Sequence, residues 1–477
     1  MKNNILSPYS QARSKHTYNI VDDLKVSVTV TANPFGLSPD TLFAMAARMN
    51  KKRAFLFVSK VLGKHLPVNP YTSLLSGAAL SLLLYKRYAA DEQQHALANE
   101  LLDAAIEGLT NPGRSEQVYH QVIEANLKLP EQALFIGFAE TATALGHSMY
   151  RVFSEDCTYL HTTREQIPAM ESLISFEEEH SHAVAHRCYA LDTAFFNGNE
   201  PIVLVDDELT TGKTALNIIR DIQRQFPRQQ YIVASLLDWR TEADEQRFAE
   251  AAQELGVSIE VLSLMKGAIR AEGSSPEQVA ASAQTQAETH ASGRLNKVYL
   301  DELFELASYS SVDSAGAVNA SPYVAGTGRF GVRSCENRTL DASIAKAGAK
   351  LRSFRAGERT LCLGTGEFMY IPMRIAAELG QGVSYHSTTR SPVHPIDKPD
   401  YAIKSGQAFP SPEDEQVRNF FYNVGALQYD DCFIFAERDW PEDRLAPLLS
   451  ALQACGFQQI NVIICGPSMG SHKEEKA

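Results

Sequence analysis

The stretch from Ile202 to Thr214, IVLVDDELTTGKT, constrains this chain more than any other. Four consecutive apolar residues describe a strand buried on both faces, the signature of a parallel sheet rather than of a half-exposed one. Asp206 and Asp207 stand at its carboxyl end, and a short Thr/Gly turn opens the next helix. Backbone N–H groups at the amino end of such a helix form a nest for an anion. Thr210, Thr211 and Thr214 add hydroxyl donors, Lys213 adds a cation, and Gly212 permits close backbone approach. Two carboxylates beside such a nest make no sense for phosphate alone. They fit a ligand that also offers sugar hydroxyls or a bound magnesium ion. The Walker A loop, GxxxxGK[ST], shares the Gly-Lys-Thr ending, but its first glycine would fall at Asp207, so that motif fails.

Other segments repeat the strand-turn-helix grammar. AFLFVSK (Ala54 to Lys60), ALFIGF (Ala133 to Phe138), YLHTT (Tyr159 to Thr163) and QYIVASLL (Gln230 to Leu237) read as short buried strands, the first of them parallel. Leu74 to Leu109 and Thr214 to Gln225 read as helical, and Asp40 to Asn50 as a helix behind the start signal Ser38-Pro39. The stretch up to about Thr31 reads as an arm or a strand pair. Strands alternating with helices predict an α/β fold with a covered parallel sheet. Gly267 to Gly293 is rich in Ala, Ser, Gln and Glu and poor in large apolar residues, which suits a connection between domains or a surface insertion. A second strand-helix series follows it, so the expected division is 1–266, a connection over 267–293, a second α/β domain over 294–466 and a tail over 467–477.

Composition excludes several classes of function. With 44% hydrophobic and 21% charged residues the chain is not broadly disordered. A net charge of −13 argues against a general nucleic-acid binder, whose affinity comes mostly from phosphate neutralisation. Seven scattered cysteines without a CxxC pair indicate neither a disulfide framework nor a zinc site. No apolar run approaches the roughly 20 residues of a membrane helix, and the expectation is a cytoplasmic protein without membrane partners.

An acidic pair followed by TG-x-[ST] directly behind a buried strand resembles the 5-phosphoribosyl-1-pyrophosphate (PRPP) signature of type I phosphoribosyltransferases. The resemblance implies a Rossmann-like parallel sheet and transfer of phosphoribosyl between PRPP and an acceptor, a nitrogenous base in the usual case, with release of pyrophosphate. Asp206 and Asp207 would hold the ribose hydroxyls, and Thr210, Thr211, Gly212, Lys213 and Thr214 the 5′-phosphate. Magnesium would be carried by PRPP near the two aspartates, with no separate protein metal site. FIGFAETATALG resembles the pyrophosphate loop of orotate-type members, giving Gly137, Glu140, Thr141 and Thr143 as candidates, with Arg164 at the next strand end. Lys60, in the basic loop VSKVLGKHLP that also holds Lys64 and His65, is a further candidate cation for the pyrophosphate. The polar segment SFEEEHSHAVAHRC stands where this fold carries a mobile lid; it is either a solvated cover or the source of a proton-transfer group, with Glu178 and His180 as candidates.

The second series resembles a degenerate copy of the first. LFIGFAE aligns with LCLGTGE and YLHTTR with YHSTTR; Gly137 precedes Arg164 by 27 positions, and Gly364 precedes Arg390 by 26. Ala436 and Glu437 stand opposite the two aspartates, and TTGKT has no counterpart near Trp440-Pro441, so no PRPP is expected there. Gly364, Glu367, Arg390 and Glu437 remain as a candidate site for another small ligand. The run Thr389-Arg390-Ser391-Pro392 spells TRSP, and the whole chain resembles bacterial phosphoribosyltransferases fused to a C-terminal TRSP domain, associated with tellurium-resistance and stress-response operons. That resemblance implies a step in making or salvaging a nucleoside-like compound, and leaves room for a homodimer and for enzyme partners encoded alongside. The alternative is a PRPP- or nucleotide-sensing or scaffold protein that keeps the fold without the catalysis.

Overall fold

The computed structural model describes residues 14–49, 53–177, 185–274 and 293–469. The chain opens with a hairpin, β1 (Ser14–Val21) and β2 (Leu24–Ala32), and passes through a single turn, α1 (Pro39–Leu42), into a second hairpin, β3 (Phe43–Ala47) and β4 (Phe55–Ser59). Helices α2 (Pro70–Tyr88), α3 (Glu92–Thr110) and α4 (Ser115–Glu124) follow. Next come β5 (Ala133–Gly137), α5 (Ala142–Arg151) and β6 (Cys157–His161), and then a hairpin, β7 (Ile174–Glu177) and β8 (Ala185–Cys188). The first half closes with β9 (Ile202–Leu209), α6 (Lys213–Gln225), β10 (Gln230–Asp238), α7 (Glu242–Leu255) and β11 (Ser258–Glu272).

The second half begins with β12 (Arg294–Tyr299) and the short strands β13 (Leu306–Ala307), β14 (Ser311–Val312), β15 (Val318–Asn319), β16 (Tyr323–Val324) and β17 (Val332–Arg333). It continues with α8 (Asn337–Arg352), β18 (Thr360–Gly364), α9 (Tyr370–Glu378) and β19 (Val383–Ser387). A hairpin, β20 (Gly406–Pro410) and β21 (Arg418–Tyr422), precedes β22 (Asp431–Ala436), α10 (Glu442–Gln453) and β23 (Gln459–Ile464).

Each half is built on a parallel sheet. The first runs β1-β2-β11-β10-β9-β5-β6-β17 and is parallel from β11 to β6; the second, β12-β23-β22-β18-β19, is parallel throughout. Every residue of β5 and β18 is buried, as strands covered on both faces require. The five parallel positions correspond, with one exchange of order. The strand next to β10 is β11, which follows it in the chain, whereas the strand next to β23 is β12, which opens its half.

Hydrogen bonds repeat between the halves as well. Thr162 N–H donates to Gly137 O at 2.9 Å, and Thr388 N–H to Gly364 O at 2.9 Å. Ala139 N–H donates to Thr162 Oγ1 at 2.8 Å, and Gly366 N–H to Thr388 Oγ1 at 3.0 Å. Tyr159 donates to Thr143 O at 2.6 Å, and Tyr385 to Met369 O at 2.9 Å. The second half thus repeats the first half's strand-end framework, down to single side chains.

Three local expectations are corrected. Among the described residues of the stretch Asp40 to Asn50, only the first turn is helical; Phe43–Ala47 is a strand, because it pairs antiparallel with β4. For the same reason AFLFVSK is an antiparallel strand and not a parallel one. Strand β11 continues to Glu272, where it pairs with β2, so the sheet includes the first residues of the stretch expected to connect the domains. One hydrophobic cluster spans both halves, and the second half has a further one of its own. In the shared cluster α5 packs on α9, with the His147 and Tyr370 rings stacked at 3.7 Å.

Candidate functional site

Strand β9 buries Ile202 to Val205 and then emerges, leaving Asp206, Asp207 and Glu208 half-buried at its carboxyl end. Successive side chains on a strand point to opposite faces, so Asp206 and Glu208 share one face and Asp207 takes the other. The cleft here is lined by Asp206, Glu208, Thr210, Thr211, Gly212 and Lys213, continuing along α6 to Asn217. Asp207 is not among its lining residues. Glu208, which the sequence motif did not single out, pairs with Arg53 at 2.7 Å. Burial and Asp207 raise its carboxyl while Arg53 opposes them.

The turn itself depends on Gly212. Its φ is +68°, and a Cβ there would lie 2.5 Å from the ring of Phe248 on α7. The Arg240 guanidinium lies 4.3 Å from that ring's centroid and is itself held by Asp238 at 2.8 Å. α6 carries no acidic residue in its first turn, so its positive amino end faces the cleft uncompensated by its own sequence.

The β5–α5 loop is stitched between its neighbours. Phe138 N–H donates to Val205 O at 3.1 Å, and a Cβ on Gly137 would come 2.4 Å from Ala142 O. The Ala139–Glu140 peptide is cis. The candidate side chains of this loop point elsewhere than expected. The buried Glu140 carboxylate reaches into the second half, to Thr389 Oγ1 at 3.1 Å and Arg390 N at 3.5 Å, with Lys64 at 3.6 Å. Thr141 Oγ1 accepts from Lys64 Nζ, and Thr143 Oγ1 donates to Glu140 O at 2.9 Å and to Glu367 O at 3.2 Å. Glu140 and Thr143 therefore join the halves, while Thr141 engages Lys64 within the first half. Lys60 donates to Asp40 O at 2.9 Å on the surface, so the lysine delivered to the loop is Lys64 instead. Gly63 makes the difference: with φ +70° it turns the chain between them.

Arg164 is half-buried, its N–H on Glu367 Oε1 at 2.8 Å and its Nη2 near Ala139 O at 3.5 Å. Glu178 and His180 lie outside the described residues. On β8, Arg187 exchanges backbone bonds of 2.8 and 2.9 Å with Thr163, and His186 Nδ1 lies 3.1 Å from Thr162 Oγ1.

The second-half candidates converge, but on the chain itself. Glu367 and Glu437 both pair with Arg329, at 2.7 and 3.0 Å, and Glu165 approaches it at 3.4 Å. Arg329 is 1% exposed. Glu165 also binds Arg438 at 2.9 Å and Tyr323 at 2.5 Å. Arg329 holds the Glu367 carboxyl down at about 2 against its burial. Burial raises Glu437, and it pushes Glu413, close to Gly366, up to about 8. Of the candidates Gly364, Glu367, Arg390 and Glu437, the two glutamates are thus engaged by the Arg329 guanidinium, while the Arg390 N–H lies on Glu140 of the first half. The only sequence signal for Arg329 was the glycine-rich run GTGRFG.

Among the described residues no group of three or more His, Cys, Asp or Glu is arranged to hold a metal, and no helix is long and apolar enough to cross a membrane.

A family model described as phosphoribosyl transferase matches residues 42–268, the parallel sheet and cleft just described. The first half is a type I phosphoribosyltransferase fold. A second model, the TRSP domain C-terminal to that transferase, matches residues 326–452. The chain belongs to the phosphoribosyl transferases that carry a TRSP domain behind them. No curated protein matches it. Similar solved structures include the adenine phosphoribosyl transferase of Trypanosoma brucei in complex with AMP, pyrophosphate and ribose-5-phosphate, at 12% identity and a TM-score of 0.29, over 50% of this chain and 82% of that one. The Giardia lamblia enzyme with 9-deazaadenine gives 16% and 0.24, over 34% and 84%. The Leishmania tarentolae enzyme gives 13% and 0.26, over 47% and 83%.

Proposed function

We propose that the first half transfers phosphoribosyl between PRPP and a nitrogenous base. The observation that carries this is one cleft combining the amino end of α6, free of acidic residues in its first turn, with the carboxylates of Asp206 and Glu208. A phosphate and a sugar on one ligand need those two chemistries side by side. In this proposal the backbone of Thr210 to Thr214 holds the 5′-phosphate, with the threonine hydroxyls and Lys213 as further donors. Asp206 accepts from the ribose hydroxyls, and Asp207 supports it from the other face of the strand. Backbone of the Gly137–Thr141 loop, with Arg164 and Lys64, faces the pyrophosphate.

In the transfer the bond from C1 of ribose to pyrophosphate breaks, its electron pair leaving with pyrophosphate, and the acceptor nitrogen forms the new bond. The acceptor's proton passes to a base, for which Glu178 and His180 are the proposed groups. The protein's part is to fix the sugar, match the developing charge and exclude water. The oxygen-only donors at the cleft suit a hard cation that keeps most of its ligands from substrate and water. Magnesium bound with PRPP would neutralise charge on the leaving group. Incubation with PRPP, magnesium and a panel of bases should release pyrophosphate only with the correct acceptor. Tight PRPP binding with no acceptor-dependent release would reduce the protein to a PRPP-binding one.

A further inference from the structure

We propose that the second half is the first half's partner subunit, carried in the same chain, and that Glu367 is a positioning residue for the first half's anion crevice. The proposal rests on the phosphoribosyl-transfer function above.

The halves exchange equivalent contacts in both directions. Glu140 reaches Thr389 Oγ1 and Arg390 N; Glu367, in the matching place, accepts from Thr163 Oγ1 at 2.5 Å and from Arg164 N at 2.8 Å. Val68 bridges Tyr385 across the halves, and Val332 pairs with Tyr159 in the reverse sense. Gly63 and Gly328 both have positive φ, and each lies against the other half's tyrosine: a Cβ would come 2.6 Å from Tyr385 and 2.3 Å from Tyr159. The residue after each glycine is basic and pairs with its own half's glutamate, Lys64 with Glu140 at 3.6 Å and Arg329 with Glu367 at 2.7 Å. Residue i meeting j while the counterpart of j meets the counterpart of i is the pattern of a twofold interface. Here both surfaces belong to one chain.

Function breaks this symmetry, because only the first half keeps the phosphate turn. Of the two exchanged glutamates, Glu367 alone therefore acts on a half with an anion crevice. Its carboxylate holds the 163–164 turn, and its backbone oxygen accepts from Thr143 in the first turn of α5, so one residue grips both lips. A bare carboxylate beside a polyanion site would repel the ligand. The Arg329 guanidinium, buried and in contact, cancels that charge. Glu367 thus acts through Thr163 and Arg164 without touching the ligand.

The test uses the full-length protein with Glu367→Gln, which keeps the side-chain shape, and Thr389→Val, which cuts the mirror contact. Hydrogen exchange of peptides spanning 158–166 should accelerate about tenfold in Glu367→Gln, and the Kd for PRPP with magnesium should rise about tenfold, as expected for loss of a charged hydrogen bond. Thr389→Val leaves the Glu140 carboxylate its contacts with Arg390 N and Lys64, and should change that Kd by less than about twofold. Should Glu367→Gln not fold, Thr163→Val removes only the hydroxyl partner and is read in the same two ways. Equal losses of affinity in the mirror variants, or unchanged exchange and affinity in Glu367→Gln, would overturn the proposal. A wild-type protein that binds no PRPP would sink the proposed function, while the exchange measurement would still decide whether Glu367 holds the turn.

Discussion

At the ends of β9 and β22 the chain arrives at equivalent places in two sheets with different residues. Behind β9, Gly212 turns the backbone into a helix whose first turn holds no acid. Behind β22, the chain runs through Asp439, Trp440 and Pro441 into α10, whose first turn begins with Glu442 and Asp443. Acidic side chains there compensate the positive helix end from within, so α10 has no need of an external anion. The crevice over the second sheet is likewise closed by Arg329 with Glu367 and Glu437. One half leaves its helix end without an acid in the first turn, and the other meets that end with its own side chains.

The largest expected effect lies on the closed side. Arg329→Met leaves Glu367 and Glu437 buried without their cation and Glu165 with Arg438 alone, and unfolding by denaturant should show a loss of about 3–5 kcal/mol, the usual cost of breaking a buried ion pair. A loss below about 1 kcal/mol would mean that the cluster is wetter than its burial indicates.

On the open side the two aspartates separate. Asp206→Asn should weaken PRPP binding by about 100-fold, as removal of a charged hydrogen-bonding group does, and leave the thermal midpoint within a few degrees. Asp207→Asn, on the far face of the strand, should cost only about a tenth of that in affinity. Calorimetric titration of both variants checks the order, and a reversed order would place the ligand on the other face.

The smallest effect is a pH dependence at Glu413. Burial pushes its carboxyl up to about 8, above the ordinary glutamate value of about 4.5, so its proton stabilises the folded state. That contribution is complete below about 4.5 and fades as pH rises through about 8. Glu413→Gln should match the wild type in thermal midpoint at pH 5 and exceed it increasingly toward pH 9. Parallel midpoints across that range would show that the carboxyl is not enclosed.

Legibility in the sequence follows the distance between partners. The β9 turn was readable because one backbone geometry dictates neighbouring residue types, the buried run, the acids and Gly212. The repeat was readable for the same reason, since each copy keeps its Gly-x-x-Glu and Thr-Thr-Arg. The partners of Glu140, Thr143 and Glu367 were not readable because they lie more than 200 positions away. Arg329 passed unseen because a buried arginine resembles a surface one until its carboxylates are found. Lys60 was chosen over Lys64 because only the turn at Gly63 decides which lysine points inward. The segment from Asp40 to Asn50 reads as helix or strand equally, and pairing with β4 decided it.

The most direct measurement is the stoichiometry of PRPP binding to the full-length chain in the presence of magnesium, by titration calorimetry. One site per chain, removed by Asp206→Asn, is the predicted result. Two sites per chain would mean that the second crevice is open after all. No site would contradict the assignment of the β9–α6 turn.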